Sequence, residues 1–441
     1  MREVKTFFVR TYGCQMNEYD SQILAGILSK TEKYEIIDQP DGADFILINT
    51  CSVRENAETT IYNRLNHLKQ YKKTKSNLVV GIIGCMAERM RKDIFTKSEL
   101  VKIVIGPDEY RSAPEILQNS MAGNSGIAVR LSRVETYEDI EPLRKEGISA
   151  WLAIMRGCNH FCSYCVVPYT RGRERSRSIN SILKEIELLQ DEGFKEVTLL
   201  GQNVNSYFDL QNKTNFPKLL RKVAETGSTM RIRYVTSHPL DMSDELIETM
   251  NEFDNICNYI HLPFQSGSNR ILNLMNRGYT REHYLERIKK IKSSLNEFSL
   301  STDIIAGFPT ETEDDHKQTL DLMRQVRFDG AFMFKYSPRE GTKAYKMNDD
   351  VAEEIKIHRL NEIIELQNII SKENNKNEIG KTYEVLVEKP SKKKAHEWMG
   401  RTKLNKVVIF DNSNDKYTTG DLVNVLIKRS NSATLFAEVV E

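Results

Sequence analysis

Cys158, Cys162 and Cys165 form a C-x3-C-x2-C loop, and three thiols this close together have few structural uses. Separate core positions would not fall on one short loop. A disulfide framework is disfavoured too, because the seven cysteines are an odd number and Met1–Arg10 lacks the apolar core of a secretory signal. Metal ligation or redox use is left. Structural zinc wants four closed ligands, and no fourth is evident. His160 lies inside the loop, but so near Cys158 its side chain is expected to point away from a shared metal. Three thiolates with one open iron suit a [4Fe–4S] cluster whose fourth iron takes a small molecule, with zinc the weaker alternative.

Three more cysteines share one local setting. Cys14 in Thr11-Tyr-Gly-Cys, Cys51 in Ile48-Asn-Thr-Cys and Cys85 in Gly81-Ile-Ile-Gly-Cys each stand where a predicted strand gives way to a helix. All three can converge at one edge of a parallel sheet, and helix N-termini favour the thiolate that iron needs. The plain alternative is three buried small residues. Cys257 stands alone and reads as core.

The fold class follows from how strands and helices alternate. Lys5–Arg10, Asp44–Asn49, Leu78–Gly84 and Val101–Ile105 read as strands and Glu18–Leu28 as a helix, giving an N-terminal parallel α/β domain over 1–120. The pattern fades into a polar linker over 121–147. A second series spans 148–374, with strands Ala150–Met155, Glu196–Leu200, Arg231–Thr236, Tyr259–Pro263, Ser299–Ile305 and Gly330–Tyr336. Six strands with intervening helices predict a partial (β/α)6 barrel, with chemistry at the C-terminal strand ends. The charged helix Val351–Asn375 is expected to pack back on that barrel. Residues 378–441 read as a small antiparallel β-barrel, so the chain is α/β and multidomain.

C-x3-C-x-aromatic-C, with Tyr164 before the last cysteine, resembles the signature of the radical S-adenosylmethionine (SAM) superfamily. That resemblance implies a [4Fe–4S] cluster that chelates SAM and cleaves it reductively to a 5′-deoxyadenosyl radical. The whole chain is similar to the methylthiotransferases, which join an N-terminal cluster domain, a radical SAM barrel and a C-terminal TRAM domain. The family implies a second [4Fe–4S] cluster on Cys14, Cys51 and Cys85, from which sulfur is delivered. Arg156-Gly-Cys-Asn-His-Phe-Cys-Ser-Tyr-Cys, Leu200-Gly-Gln-Asn-Val-Asn-Ser-Tyr, Thr236-Ser-His-Pro, His261-Leu-Pro-Phe-Gln-Ser-Gly-Ser and Met275-Asn-Arg-Gly-Tyr-Thr-Arg resemble the branch acting on N6-isopentenyladenosine in tRNA. The implied product is the 2-methylthio derivative at position 37, beside the anticodon. Sister branches act on threonylcarbamoyl-adenosine or on a ribosomal protein. A non-catalytic RNA-binding protein with a structural metal is a further alternative.

By the same resemblance Tyr164 in the cluster loop and Gly201, Gln202, Asn203, Ser237, Gln265, Ser266, Asp303 and Gly307, at or near strand ends, are candidates for SAM contact. The competing use for such polar residues is helix capping. Lys and Arg total 63 against 62 acids, so RNA binding must come from local clusters. Arg171, Arg173, Arg175 and Arg177 alternate directly after the cluster loop and would share one face of a strand. Lys392, Lys393 and Lys394 form a second basic patch, and Tyr207, Phe308 and Phe334 are aromatic candidates for a flipped base. The expected partners are the tRNA anticodon stem-loop, an electron donor such as flavodoxin or ferredoxin, and an iron–sulfur carrier. The expected state is a cytoplasmic monomer without membrane contact.

Overall fold

The computed structural model describes residues 4–52, 57–144, 147–392, 394 and 396–440, with backbone alone for 57–60. None of the described helices is long and apolar enough to cross a membrane.

The first unit is a six-stranded parallel sheet. Its order runs Tyr34–Ile36, Lys5–Tyr12, Phe45–Thr50, Val79–Gly84, Val101–Ile105, Gly126–Ala128. Phe45–Thr50 and Val79–Gly84 are buried along their whole length, because both sheet faces are covered. Phe45, Leu47, Val79 and Ile83 face the helix Gln15–Ser29. The alternate residues Ile46, Ile48, Val80 and Ile82 face Ile61 and Met86 on the other side. Tyr12 pairs with Thr50, and Thr50 with Gly84, so the three central strands end on one line. Cys14, Cys51 and Cys85 lie just past it.

Of the stretch predicted as a linker, 121–147, residues 126–143 are packed structure, and 145–146 lie outside the described residues. The stretch supplies the sixth strand and then a strap across the helix Gln15–Ser29, where the Leu143 N–H donates to Gln22 O at 3.0 Å. Tyr137 of the strap is fully buried against Tyr110. Polar composition misled because the acids of the strap face arginines, as Glu135 does Arg111 at 2.6 Å. Gly26 makes the crossing possible: a Cβ there would fall on the carbonyl oxygen of Glu141. Exchanging glycine for alanine inside a helix normally stabilises by about 1 kcal/mol. Gly26→Ala is expected to do the reverse and cost about 1–3 kcal/mol through overpacking, read as a lower urea midpoint. A midpoint at or above the parent's would refute the strap as a tight contact.

The second unit holds two parallel triplets of strands. Glu196–Leu200 lies between Ser149–Ala153 and Arg231–Tyr234, and Ser299–Ala306 between Tyr259–His261 and Gly330–Lys335. An isolated parallel bridge, Ile232 to Ile256, links the triplets. Among the described residues nothing pairs the last strand with the first, so the barrel stays open there. Phe332 and Phe334 of that last strand are 57% and 47% exposed. The helix Glu353–Lys376 lies back on this unit, with Gln367 donating to Phe328 O at 2.8 Å and Ser371 to Asp329 O at 2.9 Å.

The third unit is a closed five-stranded barrel, in order Thr382–Pro390, Glu397–Thr402, Val407–Asp411, Leu435–Val439, Leu422–Ser430. Its pairings are antiparallel except that Val407–Asp411 runs parallel to Leu435–Val439, a correction to the all-antiparallel expectation. It docks on the N-terminal ends of the (β/α)6 strands. Arg231 donates to Arg401 O at 2.8 Å and Arg233 to Thr402 O at 2.8 Å, and Ser299 Oγ to Leu404 O at 2.8 Å.

Candidate metal centres at the domain boundary

Local backbone geometry builds the first thiol group. Cys14 caps the helix Gln15–Ser29, its carbonyl accepting from Asn17 N at 2.9 Å, and Cys85 opens the helix Cys85–Met90. Gly84 precedes Cys85 with φ +88°, and a Cβ there would strike Asn49 and the Thr50 carbonyl. Fully buried asparagines brace the group: Asn17 Nδ2 donates to Asn49 Oδ1 at 2.8 Å, and Cys14 Sγ to Asn17 Oδ1 at 3.3 Å. Cys14 and Cys51 are hydrogen-bonded to each other, and with Arg171 nearby this holds the Cys14 thiol down to about 6. Burial instead pushes the Cys85 thiol up, even though Arg171 Nε donates to its sulfur at 3.2 Å.

The second group sits on the loop after Ser149–Ala153. The Cys158 N–H donates to Gly172 O at 3.1 Å, and the Cys165 N–H to Cys162 O at 3.0 Å. Asn276 Nδ2 donates to the carbonyls of His160 and Phe161 at 3.1 and 3.0 Å. Arg277, buried beneath the loop, donates to Cys162 Sγ at 3.3 Å and to Pro263 O at 2.8 Å. Burial raises the Cys158 and Cys165 thiols to about 12, so metal binding there must displace protons.

At the strand ends the SAM candidates divide. Gln202 accepts from the Gly157 N–H, and a Cβ at Gly201 would lie 2.6 Å from Met155 Cγ. Asn203 Nδ2 donates to Asp241 Oδ2 at 2.7 Å and lies 3.0 Å from His160 Nε2. His160, stacked on His238 at 3.7 Å, is also 2.7 Å from Asp241. His238 Nδ1 accepts from Leu240 N at 3.3 Å, which leaves the proton on Nε2. That Nε2, Asn203 Oδ1 and Ser237 Oγ are buried without partners. Asp303 stays part-exposed, 3.4 Å from His261 Nε2, and Gln265 takes φ +66° while bridging to Ile304. Ser266 is occupied structurally, accepting from Ser268 N at 3.3 Å and lying 3.5 Å from Thr319 Oγ1. Gly307 was expected to admit a ligand, but the space of its missing Cβ is filled by the Lys356 side chain.

Both groups present soft thiols with a guanidinium N–H on one sulfur, and three unpartnered polar atoms lie at the strand ends beside the loop. Such a donor set fits iron–sulfur clusters and a small polar ligand. Three family models tile the chain: the uncharacterized protein family UPF0004 over residues 6–106, the radical SAM superfamily over 152–323, and the TRAM domain over 376–440. Curated relatives match along the full length. The tRNA-2-methylthio-N(6)-dimethylallyladenosine synthase of Phocaeicola vulgatus is 52% identical over 99% of this chain and 96% of its own. Those of Chloroherpeton thalassium and Porphyromonas gingivalis are 52% and 49% identical, over 98% and 100% of this chain and 96% of their own. The chain belongs to the tRNA-2-methylthio-N(6)-dimethylallyladenosine synthase family. The radical SAM methyltransferase TsrM of Kitasatospora setae shares the fold at TM-score 0.56 and 14% identity, over 75% of each chain. So does the radical enzyme OxsB, at 0.54 and 14%, over 83% of this chain and 56% of its own.

In this synthase fold the alternating arginines do not form an exposed RNA face. Arg171, Arg175 and Arg177 are buried and paired with acids: Arg171 with Asp20 at 2.7 Å, Arg175 with Asp108 at 2.8 Å, Arg177 with Glu185 at 2.6 Å. Arg156 joins them, 2.8 Å from Asp20. The segment locks the barrel to the N-terminal sheet. Only Arg173 of the four is exposed, lying over the Phe161 ring at 4.8 Å. Tyr207 is buried with its hydroxyl on Arg177 O, and Phe308 is buried against Tyr336, so neither faces an open pocket; Phe334 does remain exposed. Lys392 and Lys394 are exposed, the latter 2.9 Å from Glu397, and Lys393 lies outside the described residues. Cys257 is buried core. Asn17, Asn49, His160, His238, Asp241 and Arg277 had no assigned role in the sequence reading. The motifs Ile48-Asn-Thr-Cys, Arg156-Gly-Cys-Asn-His, Thr236-Ser-His-Pro and Met275-Asn-Arg-Gly carry Asn49, His160, His238 and Arg277, and none of them carries Asn17 or Asp241.

Proposed function

We propose that this protein places a methylthio group on C2 of N6-dimethylallyladenosine (the isopentenyl group under its other name) beside the tRNA anticodon, using two [4Fe–4S] clusters and SAM. The carrying observation is the joint between the thiol groups: Arg171, in the segment after Cys165, touches Cys85 of the other group. When bound, the clusters and SAM supply the electron, radical, sulfur and methyl chemistry. The chain supplies placement. Cys158, Cys162 and Cys165 hold one cluster, and Cys14, Cys51 and Cys85 the other. Gln202, Asn276 and Arg277 fix the loop, and Asn203, Ser237 and His238 offer polar atoms to SAM. The exposed Arg173, Phe332 and Phe334 are contacts for a splayed anticodon loop, and Lys392–Lys394 for the stem. The enzyme works in the cytoplasm as a monomer, reduced by a flavodoxin- or ferredoxin-type donor and resupplied by an iron–sulfur carrier.

The test is anaerobic reconstitution, reaction with SAM, a reductant and a dimethylallylated anticodon stem-loop, then nucleoside mass spectrometry. The expected result is a mass gain on the modified adenosine equal to hydrogen replaced by methylthio, absent when the dimethylallyl group is omitted. 5′-Deoxyadenosine without modified RNA would move the assignment to another substrate, such as threonylcarbamoyl-adenosine or a ribosomal protein.

A further inference from the structure

We infer that Arg171 is a positioning residue of the N-terminal cluster, whose guanidinium sets the charge, and thereby the reduction potential, at Cys14, Cys51 and Cys85; this rests on the two-cluster reading above. Arg171 Nε donates to Cys85 Sγ at 3.2 Å and Nη2 to Asp20 Oδ2 at 2.7 Å. Nη1 is buried without a partner. A buried guanidinium seldom leaves an N–H unused, and beside three thiols the fitting acceptor is a sulfur atom. The side chain cannot relieve its burial by losing a proton, because arginine stays charged in proteins.

Two features hold it in place. Asp20 follows Cys14 on the helix Gln15–Ser29, so the carboxylate and that thiol belong to one element. Asp20 is shared with Arg156 at 2.8 Å, and the backbone N–H of Arg171 donates to Val167 O at 2.8 Å. A fixed cation and N–H donor beside a cluster stabilise its reduced form, which carries one more negative charge. Removing them lowers the potential. Removing the Asp20 carboxylate raises it.

The test uses the full chain carrying Cys158→Ala, Cys162→Ala and Cys165→Ala, reconstituted anaerobically so that only the N-terminal cluster is loaded. Iron per chain and the midpoint potential, from an EPR-monitored redox titration, are compared with and without Arg171→Gln. The expected result is about four irons per chain in both, with a more negative midpoint in the Arg171→Gln chain. Asp20→Asn is the second variant, should Arg171→Gln fail to hold iron, and its midpoint is expected to move positive. Full iron with both midpoints at the parent value overturns the proposal and leaves the cluster assignment intact. No iron in the parent of the series overturns both.

Discussion

Replacing Cys14, Cys51 and Cys85 together by alanine is expected to abolish the methylthio product while reductive cleavage of SAM continues. Each of the three thiols sits on its own strand end, so the substitutions remove one group of ligands and leave the sheet register unchanged. The other group is braced from elsewhere: Gly172 and Asn276 hold its backbone, and Arg277 one of its sulfurs. Reconstituted iron should fall to about half of the parent's, since one of two clusters remains. 5′-Deoxyadenosine should still form, with no mass gain on adenosine. Full iron in the triple variant would end the two-cluster reading. Complete loss of iron with retained fold would mean that the groups are not independent.

The second large effect concerns stability. Glu185, on the helix Ile179–Asp191, pairs with Arg177 at 2.6 Å and with Arg144, and all three side chains are nearly buried. Arg177 further donates to Tyr19 and to the Ala153 carbonyl, both at 3.1 Å, so it cannot swing out to solvent without leaving those partners. Glu185→Ala therefore strands two guanidinium groups, and breaking a buried pair in this way costs about 3–5 kcal/mol. The effect should appear as a lowered denaturant midpoint of the metal-free, reduced protein. Glu185→Gln, which keeps an acceptor oxygen, should lose less. A loss below about 1 kcal/mol for the alanine variant would show that this joint is not the clamp described here.

The arginine segment also marks where reading the sequence stops working. Alternation at 171, 173, 175 and 177 indicates a shared face but not what that face meets. Two of the acids that pair with the three buried arginines stand far away in the chain, Asp20 at 151 residues from Arg171 and Asp108 at 67 from Arg175, while Glu185 lies 8 residues from Arg177 but on the following helix. Strand–cysteine–helix junctions were legible because each is local, and the register of neighbouring strands then brings the cysteines together. The helices Ile179–Asp191 and Arg281–Ser294 start at Ser178 and Thr280, whose hydroxyls accept from the backbone N–H groups of Ser181 and His283, so each start is likewise set by neighbours a few residues away. The strand Glu397–Thr402 was not legible, because EWMGRT shows no clean alternation. Its Gly400 is required instead by the close carbonyl of Leu386 on the neighbouring strand. The His160–Asp241–Asn203 contacts escaped as well: three loops meet there, and spacing along one segment carries no trace of the others.

Docking of the TRAM barrel on the N-terminal strand ends sets a length. The cluster loop lies at the other end, where Tyr164 and Ile305 both pack on the buried group of Ile271, Met275, Phe308 and Tyr336. Between them run strands such as the eight-residue Ser299–Ala306, about 26 Å at 3.3 Å per residue. On the proposed reading, an RNA held by both the TRAM barrel and the cluster loop would have to span that depth, and the protein would act as a calliper. Shortening the stem of a hairpin substrate is then expected to act at the far jaw alone, raising the apparent KM while leaving kcat at the target base unchanged.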